Sequence, residues 1–448
     1  MLAGVVAMAA SGTSHAQNPA SSDGSAIAAL AAPLPKDVYP DSRNRLPLPK
    51  REDMDAAGQK IFDQMTRHSQ LAVGAENPSP RLYDPQLAKP LDEAGHYLKY
   101  ETGLPNPLME IAVLTTAREM DCQYEWTQWE THGRDPKDPR FIEPAIIDII
   151  KYDKPVAGLG EKETAIIALG REMLGEKKVS SAIFAEVLRL FGRRLTVDLV
   201  ELMTGYSACA AEMPAIDQQL LAGQKPLLPA GRLHPHNPVR SSAVAPAATP
   251  LPKDVYPDSR NRLPLPKRDD PDDYGKQVFD EMTRESELPG GLEQPSFRLW
   301  DPQLAKPMGE AHHYVNYETG LPAPLVEIAA LVTARERDCQ YEWTQLETHG
   351  RSPNDPRHIE PAIIDIIEYD KPAVGLGEKE TAVIRFGREM FAEETVSSAT
   401  FAEVLRLFGR RGTMDLIEVM TLYSTEAAGL AAFDQQLPEG QKPLLPPR

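Results

Sequence analysis

The amino-acid sequence predicts an all-α protein that contains two copies of one helical domain. Apolar residues recur at spacings of three and four, as in Phe184, Val187, Leu188 and Phe191, which is the periodicity of a helix with one buried face. No pair of alternating apolar segments flanks a short turn, so nothing predicts a β-hairpin. A long internal repeat indicates a duplicated domain rather than a solenoid unit of roughly 20–50 residues.

The two copies align without a gap at a constant offset of 217 residues. Residues 34–50 recur letter for letter as residues 251–267. Between residues 110–155 and residues 327–372, only eight of 46 positions differ, so both copies are expected to fold alike.

The alignment divides the chain into a signal peptide at 1–16, a flexible lead-in at 17–33, domain copy 1 at 34–229, a linker at 230–250 and domain copy 2 at 251–448. The first segment is apolar and ends in small residues, which is typical of a secretory signal, although the usual basic start is missing. We therefore predict export to the periplasm, with an unstructured tail rich in Ala and Ser as the alternative. The composition of the linker predicts an extended tether.

Particular residues predict where helices begin and end within each copy. Gly192 predicts a stop after the helix that carries Phe191, before the apolar pattern resumes at Leu195. The stretch 146–150 is rich in isoleucine, but Pro144 suits the first turn of a helix. We therefore predict a short buried helix there rather than a strand.

The composition opposes several classes of partner. The net charge of -18 disfavours nucleic acid and anionic membranes, because both are polyanions. Three cysteines in 448 residues exclude a disulfide scaffold, and no apolar run reaches the roughly 18–20 residues that span a bilayer. No motif predicts a metal site or a cofactor. We predict a small-molecule substrate, no nucleic-acid partner and no membrane anchor.

The segment from Glu110 to His132 carries the densest set of chemically useful side chains. Asp121 is a good N-cap, which would place Cys122 in the first turn of a helix and lower the pKa of its thiol. One continuous helix would hold Glu110 about 18 Å from Cys122, at 1.5 Å per residue. A chain break before Asp121 is therefore required if these two side chains are to meet.

Beyond that break, four residues share one helix face. Cys122, Glu125, Trp126 and Trp129 follow the spacing i, i+3, i+4 and i+7. Carboxylates among apolar neighbours are candidates for burial and need a partner, which Arg118 could supply as a purely structural ion pair. Free cysteine is also commonly buried and inert, and this reading of the thiol stays open.

These residues resemble the core motif of the carboxymuconolactone decarboxylase and alkyl hydroperoxidase D-like superfamily. The resemblance covers roughly residues 60–220 and 275–437. It implies helical-bundle domains and homo-oligomers, here a trimer of two-domain chains. The matching positions are Glu110, Cys122, Tyr124, Glu125 and Trp126 in copy 1, and Glu327, Cys339, Tyr341, Glu342 and Trp343 in copy 2.

Two features that the resemblance implies are altered in this chain. The position of the second thiol in the peroxidase branch holds Glu125 or Glu342, which removes dithiol cycling three residues apart. The position of the family histidine holds Trp129 in one copy and Leu346 in the other. The two sites are therefore expected to differ in volume or specificity.

Only two histidine positions are shared by both copies, and either could replace the missing imidazole. They are His96 with His313 and His132 with His349. His132 also suits an exposed helix C-terminus, and His96 suits a core position. The hypothesis assigns proton transfer to Glu110, Glu125 and His132 beside Cys122, with His96, Tyr124, Trp126 and Trp129 around the substrate; copy 2 repeats it with Glu327, Glu342, His349 and Cys339, and with His313, Tyr341, Trp343 and Leu346.

The sequence thus leaves three functions open. The first is a lyase-type acid–base enzyme that acts on a small unsaturated carboxylic acid or lactone, in which a buried carboxyl protonates the carbanion left by decarboxylation. The second is a thiol peroxidase with a single cysteine, which needs an external thiol. The third is a non-catalytic binding or assembly module.

Overall fold

The computed structural model describes residues 33–72, 79–229, 251–286, 297–392 and 395–447. The predicted signal peptide and linker, and nearly all of the lead-in, lie outside these residues. We refer to the described residues of copy 1 as half 1 and to those of copy 2 as half 2.

The described residues form fourteen α-helices and no β-strand, which confirms the predicted all-α class. The helices of half 2 follow those of half 1 in the same order. Those of half 1 are α1 (Ala56–Ala72), α2 (Pro85–Tyr100), α3 (Asn106–Glu119), α4 (Gln123–Gly133), α5 (Pro144–Lys151), α6 (Glu161–Gly170) and α7 (Ser181–Ala215). Those of half 2 are α8 (Asp273–Ser286), α9 (Pro302–Tyr317), α10 (Ala323–Glu336), α11 (Gln340–Gly350), α12 (Pro361–Glu368), α13 (Glu378–Phe391) and α14 (Ser398–Ala432).

Helix ends follow from local chemistry. Asp84 caps α2 by accepting a hydrogen bond from the backbone N–H of Gln86, and Pro85 follows in the first turn, where its missing N–H costs nothing. Pro144 has the same place in α5, so the isoleucine-rich stretch is a short helix, as predicted. Ile147 and Ile150 of this helix are buried.

Both long helices, α7 and α14, are interrupted by a glycine. Gly192 has φ 71° and ψ 174°, and Gly409 has φ 67° and ψ -177°. Backbone of this kind is essentially restricted to glycine, because a Cβ would clash with the chain. The break at Gly192 confirms the predicted stop.

The connection between α3 and α4 corrects one local prediction. The chain breaks after Glu119, as required, but the N-cap of α4 is Cys122 rather than Asp121. Asp121 has a positive φ of 48°, and its carboxylate accepts a hydrogen bond from Arg118 at 2.6 Å. Arg118 therefore pairs with Asp121 and not with Glu110 or Glu125, the partners considered from the sequence.

Helices α3 and α10 lie at the centre of their halves. Every residue from Leu108 to Glu119 in α3 is buried, and α10 is buried over the matching span. A helix that is buried on all sides must carry apolar side chains almost everywhere. Glu110 and Glu327 are exceptions in this environment, which is why the two acids have unusual properties.

The two halves pack directly against each other, with α7 against α14 and α2 against α9. The described residues from Leu34 onward belong to one compact unit. None of the helices in the described part of the chain is long and apolar enough to cross a membrane.

Candidate active site

Glu110 is a fully buried carboxylic acid near the middle of half 1. Its exposed fraction is 0%, and its only hydrogen-bond donor among the described residues is the backbone N–H of Gly133, in poor geometry. Gly133 makes room for it, because a Cβ at that position would lie 3.0 Å from Glu110 Oε1. Burial raises the pKa of Glu110 to about 9, opposed by the charge of Arg140. The group is therefore protonated at neutral pH.

Glu327 repeats this arrangement in half 2. It is 1% exposed, Oε1 has no partner among the described residues, and Oε2 lies 3.8 Å from Arg357 Nε. Burial raises the pKa of Glu327 to about 8, again opposed by the nearby arginine. Each half thus holds a neutral acid beside a guanidinium group.

A second acid lies on the neighbouring helix of each half, and its hydrogen-bond partner differs between the two copies. Glu125 Oε2 accepts a hydrogen bond of 3.2 Å from Trp129 Nε1. Glu342 has Leu346 at the corresponding position, and its only donor among the described residues is the thiol of Cys339, in poor geometry. Burial raises the pKa of both carboxyl groups.

The two acids of half 1 lie near Tyr206, and the two acids of half 2 lie near Tyr423. Burial raises the pKa of Tyr206, and both Glu125 and Glu110 lie close enough to raise it further. Burial and then Glu327 raise the pKa of Tyr423, with Glu342 also contributing. The sequence hypothesis missed these tyrosines. Both occupy the same position of the repeat, in the apolar stretch that follows the glycine break, and this pattern could have identified them from the sequence.

The two arginines are a further pair that the sequence hypothesis missed. Arg140 Nη2 donates to Asp138 Oδ2 at 2.8 Å, and His132 Nδ1 lies 3.0 Å from the same oxygen. The hydrogen bond from Arg140 lowers the pKa of Asp138 to about 2. His132 is thus connected to Glu110 only indirectly, through Asp138 and Arg140. His349 contacts Asp355 in the same way, at 3.2 Å.

Cys122 lies at a cavity of about 350 Å³ between the two halves. Tyr124 lines the same cavity, with Arg337 and Phe391 from half 2, but neither Glu110 nor any other predicted acid does. The thiol and the acids therefore do not share one hollow, although Cys122 is close enough to Glu125 to feel its charge.

The predicted activation of the thiols is wrong. Burial raises the pKa of Cys122, and the carboxyl of Glu125 adds to the effect. Burial and Glu342 do the same for Cys339. At both positions the loss of hydration around the sulfur outweighs the stabilisation of a thiolate at the start of a helix.

No match was found among models of protein families, curated proteins or solved structures. The resemblance to the carboxymuconolactone decarboxylase and alkyl hydroperoxidase D-like superfamily thus rests on the motif residues and stays a prediction. What the site can do follows from its buried acids and the arginines beside them.

The predicted aromatic residues lie in different parts of the structure. Trp126 is fully buried and its indole N–H donates to Glu130, which also accepts from Lys151. Trp343 donates to Glu347 at 2.7 Å. These two tryptophans belong to structural ion-pair clusters rather than to the surroundings of the acids. Tyr341 is partly exposed on α11.

The remaining predicted histidines, His96 and His313, lie away from the acids. His96 Nε2 is 3.5 Å from Glu101 Oε1, and the ring packs on Tyr100. His313 has the corresponding carboxylate at 3.4 Å and lines a cavity of about 210 Å³ between α2 and α9. Neither is brought to Glu110 or Glu327, because both lie on the partly exposed face of their helices.

Proposed function

We propose that the protein is an acid–base enzyme of the lyase type that acts on a small unsaturated carboxylic acid or lactone. The proton donor would be the buried acid of the half that binds the substrate, Glu110 or Glu327. One observation carries the proposal: each half buries a carboxylic acid with an unpartnered oxygen and a pKa raised to about 9 or about 8. Perturbed acids of this kind cluster at functional sites.

The chemistry suits a decarboxylation. Loss of CO₂ from the substrate carboxylate leaves the bonding electron pair on carbon as a carbanion, which needs a proton. The buried acid supplies that proton and becomes a carboxylate, whose charge the neighbouring arginine stabilises, Arg140 beside Glu110 or Arg357 beside Glu327. A proton from solvent then restores the acid. Before the reaction, the same guanidinium is suited to attract the carboxylate of the substrate.

The alternative of a thiol peroxidase is disfavoured by the raised pKa of the two thiols. The nucleophile in such an enzyme is the thiolate, and burial raises the pKa of both Cys122 and Cys339. Peroxidase activity that disappears in the Cys122→Ser, Cys339→Ser double variant would reverse this judgement and contradict the proposal.

The direct test is a double variant, Glu110→Gln with Glu327→Gln. Release of CO₂ and formation of product are followed by NMR over a panel of unsaturated carboxylic acids and lactones. We expect turnover by the wild type and a loss of at least about 100-fold in the double variant, the usual contribution of general acid catalysis.

The matched control is Glu143→Gln, which changes an exposed glutamate of half 1 and should leave turnover intact. Thermal unfolding confirms that each variant is folded. Unchanged turnover in the double variant would refute the role of these acids. A wild type that is stabilised by ligands but turns over none of them would favour the binding-module alternative.

A further inference from the structure

Four positions around Tyr206 and Tyr423 differ in chemical character between the two halves. Half 1 has Gly95, Lys99, Trp129 and Cys209 where half 2 has His312, Asn316, Leu346 and Glu426.

In half 1, Trp129 supplies a hydrogen-bond donor to the second acid, Glu125. The indole of Trp129 donates to Glu125 and packs edge-on against Tyr206, with ring centroids 5.2 Å apart. Arg140 lies 5.4 Å from the centroid of the same indole. Trp129 therefore contacts the acid, the tyrosine and the arginine at once and occupies the space between them.

In half 2 the same place is left with unpartnered polar atoms. Leu346 has no N–H to donate, so among the described residues Glu342 keeps only a weak hydrogen bond from the thiol of Cys339, and Oε1 of Glu327 meets no donor in good geometry. His312 adds a nitrogen, Nε2, that is buried and equally without a partner there. Buried polar atoms are nearly always hydrogen-bonded in native proteins, so a group of them points to a ligand.

The orientation of His312 is determined by its neighbours. Tyr423 donates from its hydroxyl to Asn316 Oδ1 at 2.8 Å, so the amide nitrogen of Asn316 faces the other way, 3.2 Å from His312 Nδ1. Because that nitrogen donates, Nδ1 accepts, and a neutral imidazole carries its proton on Nε2. Burial lowers the pKa of His312, which favours this neutral form.

Glu426 and Tyr423 connect His312 to the acids. The ring of His312 lies 5.7 Å from that of Tyr423, and Glu426 acts electrostatically on both His312 and Glu342. Glu426 itself is paired with Arg298 at 2.7 Å. Half 2 therefore offers two buried hydrogen-bond donors, the imidazole N–H of His312 and the protonated carboxyl of Glu327.

We propose that half 2 is the half that binds the small molecule, and that His312 Nε2 donates a hydrogen bond to a carboxylate or carbonyl oxygen of this ligand. Trp129 prevents the same binding in half 1. The class of ligand rests on the proposed function, whereas the choice of half rests on the differences between the copies. His312 takes over the role of an imidazole that the sequence hypothesis sought among shared histidines.

The test is calorimetric titration of the full chain with two probes, crotonate and 2(5H)-furanone, an unsaturated carboxylate and a lactone. We expect the wild type to bind one molecule of probe per chain. His312→Phe removes the donor, and Leu346→Trp introduces the indole that half 1 already accommodates. Each should weaken binding at least about tenfold, the factor that corresponds to one hydrogen bond of about 1.4 kcal/mol.

The matched control for His312→Phe is His313→Phe, which changes the adjacent, partly exposed histidine of α9 and should change neither the affinity nor the stoichiometry. Two equal sites per chain, binding unaffected by both His312→Phe and Leu346→Trp, or no binding of either probe to the wild type would overturn the proposal.

Turnover separates this inference from the proposed function. Probe binding that depends on His312, without CO₂ release from any acid tested, would uphold the inference and refute the enzyme. Turnover that is lost in Glu110→Gln but retained in Glu327→Gln would uphold the enzyme and refute the assignment to half 2.

Discussion

Glu110 and Glu327 show how burial changes the chemistry of an ordinary side chain. Each lies in a helix that is buried on all sides, where the charged form of a carboxyl group loses its hydration. The nearby arginine compensates only in part, because the pKa of each acid remains well above 4.5. The sequence predicted that these residues are buried acids, and how few hydrogen-bond donors surround them emerged only from the packing.

The raised pKa values predict a pH-dependent stability. The folded protein retains protons that the unfolded chain loses above about pH 4.5, so this stabilisation is complete below that pH and disappears as the pH rises towards 8 to 9. Relative to the Glu110→Gln, Glu327→Gln variant, the wild type should lose up to about 1.4 kcal/mol per pH unit per carboxyl. Urea unfolding between about pH 5 and about pH 8 measures this difference. Parallel profiles for the two proteins would contradict it.

The thiols should react slowly while the protein is folded. Burial raises the pKa of Cys122 and Cys339, and it raises the pKa of Cys209 to about 11. We expect alkylation by iodoacetamide at about pH 8 to be at least about tenfold slower than in urea, because little thiolate is present. Mass spectrometry of each cysteine peptide gives the rates. Alkylation of folded Cys122 at the unfolded rate would show that its thiol is accessible.

At the scale of the element, the breaks in α7 and α14 determine which parts of these helices enter the core. The segment after Gly192 carries Tyr206 and is buried along most of its length. The equivalent segment after Gly409 carries Tyr423. Because each helix is interrupted at its glycine, one continuous stretch of chain contributes residues to both the surface and the site.

A Cβ at Gly192 should destabilise the protein through backbone strain alone. No heavy atom lies within 4 Å of the added Cβ, so Gly192→Ala creates no steric clash with its surroundings. We expect a loss of about 1–3 kcal/mol in the free energy of unfolding, measured by urea denaturation. The control, Gly205→Ala, lies in the same helix with equally open space and should be neutral or stabilising. Equal effects of the two substitutions would contradict the role of the glycine break.

At the scale of the whole molecule, the halves are joined by reciprocal buried ion pairs. Arg81 of half 1 donates to Glu418 at 2.7 Å, and Arg298 of half 2 donates to Glu201 at 2.9 Å. A tyrosine hydroxyl also links the two halves, since Tyr97 of half 1 donates a hydrogen bond to Asp301 of half 2. Such reciprocity is typical of a two-fold interface, here contained in one chain.

Arg298→Ala should therefore be strongly destabilising. The substitution leaves Glu201 and Glu426 buried without their cation, and the loss of one partner from a buried pair costs about 3–5 kcal/mol. Chemical denaturation measures the effect. The control is Arg268→Ala, which removes an exposed pair with Asp280 and should change stability little. A small effect of Arg298→Ala would show that the carboxyl groups take up protons instead.

The sequence by itself determined what depends on neighbours along the chain. Helical periodicity, Pro144 at the start of α5 and Gly192 at a break are local signals, and the offset of 217 residues determined that the halves correspond. Only the tertiary structure decided which side chains meet. Burial and electrostatic environment arise from contacts between distant residues, such as Arg81 with Glu418, and these contacts reversed the expected acidity of Cys122 and placed His312 beside Tyr423.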